Sequence, residues 1–209
     1  MQVRYLLFLF FMAFSTSCFA QEKTQSELVN VTKINFLNPG ISYEKPVGKF
    51  QSLVGQAFLS TTFSFGYSSG LSELYGGSSG FQSNISFDPA LSLQYRFYYN
   101  YEKRQKKGKR TEMNSLNYFS PILMTVFSKE RISFSHFMET NRRAMNNIGV
   151  VWGFQRNYRK RFSLDLNLGL GYLFTTARVQ DNTGQIVREN VGEFTTLGQL
   201  TLGFWLNKR

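Results

Sequence analysis

The chain has 209 residues, with 24 Lys and Arg against 13 Asp and Glu, a formal net charge of +11, one histidine and one cysteine. A single cysteine excludes an internal disulfide framework, and one His with one Cys is too small a ligand supply for a transition-metal site. Aromatic residues make up 17% of the chain, with 22 Phe and 11 Tyr, yet beyond the N-terminus no stretch approaches the roughly 18 consecutive apolar residues of a membrane helix.

Residues 1–20 read as a secretory signal peptide. Arg4 is followed by the apolar run Tyr5–Phe14 and then by small residues up to Ala20, the expected cleavage point. Cleavage there removes Cys18. Ser15 stands where a lipoprotein signal would carry an aliphatic residue. Residues 21–30 form a short N-terminal segment, and 31–209 form one domain. A basic balance can mean nucleic acid, which an exported protein rarely meets, so anionic lipid head groups or solvated loops are the expected surroundings.

From residue 31 the chain reads as strands divided by turn chemistry, with no segment of helical period. The first run, Val31–Lys45, places Leu37, Ile41 and Tyr43 opposite Asn38, Ser42 and Glu44. Lys45-Pro46-Val47-Gly48-Lys49 reads as a turn. The second run, Phe50–Tyr67, places Ala57, Leu59, Phe63 and Phe65 opposite Gln56, Ser60, Thr62 and Ser64. Ser68–Asn84, rich in Gly and Ser, reads as a long loop. The third run sets Phe87, Leu91, Leu93, Tyr95, Phe97, Tyr99 and Tyr101 against Asp88, Ser92, Gln94, Arg96 and Asn100, and a basic connector follows from Tyr101 to Asn114.

A fourth run, Ser115–Phe127, and a fifth, Arg131–Met138, form a possible hairpin. The sixth alternates Ile148, Val150, Trp152 and Phe154 with Gly149, Gly153, Gln155 and Asn157. The seventh has the clearest pattern: Phe162, Leu164, Leu166, Leu168, Leu170, Tyr172 and Phe174 share one parity, and Ser163, Asp165, Asn167, Gly169 and Gly171 share the other. Gln180–Asn190 reads as a polar loop. The eighth run sets Phe194, Leu200, Leu202, Phe204 and Leu206 against Thr195, Gln199, Thr201 and Gly203. Pro39, Pro89 and Pro121 fall inside these runs, where a proline, lacking an N–H, marks a bulge or a strand boundary.

Successive side chains of a strand point to opposite faces, so each run has one greasy and one polar face. A soluble barrel turns the greasy face inward; a membrane barrel turns it to lipid and keeps a polar lumen. The polar parity here is mostly Gly, Ser, Thr, Asn and Gln with few long charges, as a narrow lumen requires. Aromatics gather toward strand ends, at Tyr67, Tyr95 to Tyr101, Tyr158, Tyr172, Phe174 and Trp205, as in interfacial girdles. Arg156, near a strand end on the apolar parity, can reach head groups. The expected fold is therefore all-β, a closed antiparallel up-and-down transmembrane barrel of eight strands.

The alternating runs 85–101, 148–158, 162–176 and 194–206, behind the signal Met1–Ala20, resemble the small outer-membrane β-barrel proteins of Gram-negative bacteria with an outer-membrane protein A-like barrel. Asn35-Phe36-Leu37-Asn38-Pro39-Gly40-Ile41-Ser42-Tyr43-Glu44 is similar to the first strand of such barrels. Tyr99-Asn100-Tyr101, Lys107-Gly108-Lys109, Thr111 and Asn114-Ser115-Leu116-Asn117-Tyr118 are similar to a stretch of their uncharacterised members. The resemblance implies insertion by the barrel-assembly machinery. Such barrels often end on an aromatic residue, whereas this chain ends Phe204-Trp205-Leu206-Asn207-Lys208-Arg209.

Three groups are candidates for function. Lys103, Arg104, Lys106, Lys107, Lys109 and Arg110 could pair with lipopolysaccharide phosphates if they face outward, or serve as a solvated connector. An eight-strand count that includes 131–138 puts this connector outside the cell. Omitting that strand puts 68–83 outside instead. Arg96 with Asp88, Asp165 or Glu44 could form a lumenal ion-pair network, read either as an ion path or as a structural plug. His136, beside Ser133, Ser135 and Glu139, raises lipid hydrolysis. The deacylase pattern His-x-Ser-Asn is absent, however, since the chain reads His136-Phe137-Met138-Glu139. No cofactor is implied. The expected function is a structural or surface-interaction role without catalysis; the alternatives are a narrow solute channel and a lipid-modifying enzyme.

Overall fold

A computed structural model describes residues 27–68, 80–129, 139–180 and 184–207. Among these residues eight antiparallel strands close into one ring, each paired to its sequence neighbours and β1 to β8. They are β1 (Val31–Leu37), β2 (Gly40–Gly48), β3 (Gln51–Ser68), β4 (Gly80–Tyr98), β5 (Asn117–Ser128), β6 (Arg143–Asn157), β7 (Phe162–Gln180) and β8 (Ile186–Trp205), with one short helix, α1 (Tyr101–Lys106), between β4 and β5.

The eight strands are not divided as the sequence suggested. The run expected to be one strand over Val31–Lys45 is two, because the chain reverses at Asn38-Pro39. Asn38 takes a φ of 53°, a left-handed conformation that asparagine tolerates, and Pro39 has no N–H to offer a ladder. The expected fifth strand, 131–138, lies outside the described residues. The expected turn at 45–49 is mostly strand: β2 runs through Pro46, and its ladder with β3 shifts register between Pro46 and Gly48. Two expected loops are shorter than predicted, since β3 and β4 pair up to Ser68↔Gly80 and β7 and β8 up to Gln180↔Ile186. Pro89 sits just beyond the last β4–β5 pair, Ala90↔Val126, and Pro121 falls in a gap between the pairs Gln94↔Ile122 and Phe97↔Phe119. Both prolines thus sit where the β4–β5 ladder asks for no donor.

The strands are steeply inclined. A ladder path leaving β1 at Ile34 runs through Ile41, Ala57, Leu91, Thr125, Asn146 and Phe174 and reaches β8 at Gly192. Ile34 itself pairs with Phe204, twelve residues away from Gly192. Such a stagger requires a strand tilt of about 35–45°. Both ends of the barrel chain, the turns after β2 and β6, and the connector containing α1 share one end of the barrel; the other four junctions lie at the opposite end.

The alternation resolves into a polar inside and an apolar outside. On β7 Ser163, Asp165 and Asn167 are buried, while Leu168, Leu170 and Tyr172 are exposed. Leu170 is 72% exposed and Phe194 90%, whereas Arg96, Gln94 and Gln155 are 0% exposed. Near the termini the interior also holds a small apolar cluster of Leu28, Tyr98, Leu116, Tyr118, Ile122, Val151 and Leu197. Two glycines make room for it: a Cβ on Gly153 would lie 2.6 Å from the Tyr118 ring, and one on Gly149 would lie 2.7 Å from Leu197.

Candidate functional site

Among the described residues, a densely bonded group of side chains lies inside the barrel, in the half nearest the termini. Inward positions of six strands deliver Lys33 from β1, Glu44 from β2, Ser52 from β3, Gln94, Arg96 and Tyr98 from β4, Gln155 from β6 and Asp165 from β7. Arg96 Nη1 donates to Asp165 Oδ2 at 2.8 Å and to Gln155 Oε1 at 2.8 Å, and Arg96 Nε donates to Gln94 Oε1 at 3.0 Å. Lys33 Nζ donates to Gln155 Oε1 and lies 3.5 Å from Asp165. Tyr118 donates its phenol to Asp165 Oδ1 at 2.7 Å, and the Arg96 guanidinium stands 4.0 Å from the Tyr118 ring centroid. Glu44 accepts from Ser52 at 2.8 Å, from Tyr98 at 2.6 Å and from Gln155 Nε2 at 3.0 Å.

Two cations and two carboxylates therefore balance, with Gln155 linking the halves. Burial of a charge is tolerable only when it is paired and hydrogen-bonded; here both carboxylates are held by several donors. With Tyr118 from β5, the arrangement locks seven strands together. Among the described residues no group of three or more His, Cys, Asp or Glu could hold a metal.

Arg96, Asp165 and Glu44 thus meet in one cluster, Glu44 through Gln155 rather than directly. Asp88 does not join it, and its expected grouping with Arg96 is corrected. It lies toward the opposite end, where Ser128 donates to it at 2.6 Å and Arg142 stands 3.6 Å away. Sequence reading missed Lys33. Treating Val31–Lys45 as one strand put Lys33 on the same parity as Ile41 and Tyr43. The turn at Asn38-Pro39 reverses the parity, so odd positions of β1 and even positions of β2 both point inward. Tyr98 and Tyr118 could have been found from their polar parity, which their aromatic character concealed.

The basic connector is partly helical, contrary to expectation. Lys103 and Lys106 on α1, with Lys107 and Lys109 beyond it, are exposed. Arg104 and Arg110 are half-buried and fasten the connector to itself: Arg104 Nη2 donates to the Arg110 carbonyl at 2.9 Å, and Arg110 pairs with Glu112 at 3.0 Å. The Asn114 amide donates to the Val29 carbonyl at 2.8 Å and accepts from the Val29 N–H at 3.0 Å, binding the connector to the segment before β1. Tyr101 on α1 donates to Glu27, and burial with that bond pushes its phenol above its ordinary value.

His136, Ser133 and Ser135 lie outside the described residues. Glu139, the fourth member of that expected group, is buried and pairs with Arg143 at 3.3 Å and Arg188 at 3.5 Å.

Around the outside, near the termini, aromatic rings meet pairwise. Tyr99 and Phe119 are 5.4 Å apart, Tyr158 and Phe162 5.8 Å, and Phe36 and Phe204 5.8 Å, while the Trp152 indole donates to the Tyr99 hydroxyl at 2.9 Å. Trp205 and Tyr98 do not belong to this belt. Trp205 is fully buried and its indole donates inward to the Tyr158 carbonyl at 3.0 Å. Arg156 bonds the Leu116 carbonyl and Asn117 at the belt's edge. In comparisons with protein-family models, curated proteins and solved structures, the chain has no significant match to any of them.

Proposed function

We propose that the chain is an exported integral β-barrel of the outer membrane with a structural or surface-interaction role. One observation carries the reading: among the described side chains, large apolar residues such as Ile41, Leu93, Leu123, Val150, Leu170 and Leu200 are exposed around the ring, whereas Lys33, Glu44, Gln94, Arg96, Gln155 and Asp165 are buried inside it. Monomeric soluble proteins rarely expose apolar patches beyond a few hundred Å², whereas a membrane barrel needs an apolar band about 25 Å tall flanked by aromatic rings. The Tyr99, Phe119, Trp152, Tyr158 and Phe162 belt suits one of those flanks.

With the termini on the periplasmic side, the four opposite junctions face the exterior, where loops on a rigid barrel make contacts. The exposed lysines 103, 106, 107 and 109 then face the periplasm, within reach of inner-leaflet head groups and away from lipopolysaccharide phosphates. Neither catalysis nor conduction is part of this reading, and the packed cluster of Arg96, Asp165, Gln155 and Glu44 weighs against a solute path along the axis.

Fractionation of the cell envelope, combined with gel migration before and after boiling, tests the proposal. The protein should sediment with outer membranes, need detergent for extraction, and migrate differently when unheated. Refolded protein in a planar bilayer should give no discrete conductance steps. Recovery as a soluble protein without detergent would overturn the reading.

A further inference from the structure

The wall of the barrel is incomplete on one side. The β2–β3 ladder ends at Gly40↔Phe58, and β1 meets β8 only between Lys33↔Trp205 and Leu37↔Leu202. Beyond these pairs β3 is laddered only to β4, and β8 only to β7. A notch therefore stands above the Asn38-Pro39 turn, between Leu59–Ser68 of β3 and Ile186–Thr201 of β8.

The notch opens within the apolar band. Its β8 side, Gly198 to Phe194, is paired with Leu168, Leu170 and Tyr172 of β7, all of them exposed. Leu59 and Leu200, exposed on the two flanks, continue that band to the opening. Behind it is a cavity of about 280 Å³ lined by Leu37, Asn38, Phe58, Met124, Gly198 and Leu200 among others. Leu200 and Gly198 belong to the outer face, whereas Phe58 and Met124 point into the barrel, so the cavity passes through the wall. An apolar cavity of about 150 Å³ accepts benzene; this one has roughly twice that room, with Asn38, Ser60, Thr61 and Gln199 as the polar part of its lining.

The first backbone groups on the flanks are already occupied. Leu59 N–H donates to the Pro39 carbonyl at 2.8 Å, Thr61 N–H to Asn38 Oδ1 at 3.1 Å, and Asn38 Nδ2 to the Leu200 carbonyl at 2.8 Å. The Asn38 amide stands in for a missing rung between β3 and β8. A peptide strand entering here would find its hydrogen-bond partners taken at the sill, whereas a hydrocarbon chain needs none.

We propose that this notch admits one acyl chain of a bilayer lipid, whose end lies against Phe58 and Met124 inside the barrel. This rests on the membrane reading above, and the test separates the two. In protein carrying Trp152→Phe, a tryptophan is introduced at Leu123, which faces outward on β5, or at its neighbour Met124, which faces the cavity. Each is refolded into phosphatidylcholine vesicles with and without bromine on the acyl chains, and quenching is read as the difference from the Trp152→Phe parent.

Both introduced tryptophans should be quenched by brominated chains to a comparable extent. Adding Gly198→Phe, which puts a ring at the outer lip of the opening, should abolish quenching at position 124 and leave position 123 unchanged. Quenching at 123 with none at 124, or quenching at 124 that survives Gly198→Phe, would overturn the proposal while leaving the membrane reading intact. No quenching at 123 would overturn the membrane reading itself. Should Met124→Trp fail to refold, Gln199→Trp on the other side of the cavity takes its place with the same expectations.

Discussion

The half of the barrel nearest the termini and the half away from them are built differently. Near the termini all eight strands are present, the ring is closed, and the interior is filled by Lys33, Glu44, Arg96 and Asp165 with their amide and phenol partners. In the far half the β3–β4 and β7–β8 hairpins rise on their own while β1–β2 stops at Asn35↔Gly40 and β5–β6 at Ser128↔Arg143. Its carboxylates are partnered in part by exposed cations: Arg142 beside Asp88 is 50% exposed and Arg188 beside Glu139 is 65% exposed, while Arg143 beside Glu139 is buried. Stability should therefore reside in the terminal half, and openness to ligands and partners in the other.

If the terminal half carries the stability, the costliest substitution is at Asp165. Asp165→Leu leaves Arg96 and Lys33 with only Glu44 for balance, and loss of one partner from a buried pair costs about 3–5 kcal/mol. Urea unfolding in lipid vesicles should show that loss. Adding Arg96→Met should restore much of it, since apolar replacement of a whole buried pair is often close to neutral. If Asp165→Leu unfolds like the unmodified protein, the cluster does not hold the terminal half together.

A second change tests the outer face. Leu170→Lys puts an ammonium in the middle of the apolar band, where the penalty is about 2–4 kcal/mol in a bilayer. In a soluble protein the same change at a residue 72% exposed should be almost silent. Tyr98→Phe removes one donor from Glu44, and a hydrogen bond to a charged group is worth about 1.5–3 kcal/mol. Asp88→Asn in the far half keeps an oxygen for Ser128 and gives up the pair with the half-exposed Arg142, which should cost less than about 1 kcal/mol. The same urea titration orders these two variants, and a larger loss at Asp88 than at Tyr98 would reverse the assignment of stability to the terminal half.

Much of the fold could be read from alternation, because a period of two fixes which side chains share a face whatever the strand's partner. Phe162 to Phe174 gave β7 and its two faces directly. Turns were harder. Asn38-Pro39 reverses the chain by a single left-handed residue, and missing it inverted the parity of β1 and hid Lys33. Strand ends were hard for a different reason: Gly-rich and polar sequence forms a strand as readily as a loop when a neighbouring strand is already laddered, as at Gln180 and Ile186. Trp205 shows the limit of composition, since an indole near a strand end can face head groups or turn inward to bond a carbonyl. Arg96 and Asp165 were legible as a pair because few long charges occupy the polar parity. Gln155, the residue that joins them to Glu44, carries no charge to draw attention.

The two tryptophans separate the faces most sharply if the apolar parity meets lipid and the polar parity a packed interior. Trp152 is 38% exposed on the outer face, and Trp205 is fully buried inside. In vesicles whose acyl chains carry bromine, the Trp205→Phe protein, which keeps Trp152, should lose most of its emission, and the Trp152→Phe protein, which keeps Trp205, should lose almost none. Equal emission from Trp152 in brominated and plain lipid, or stronger quenching of Trp205 than of Trp152, would contradict the account.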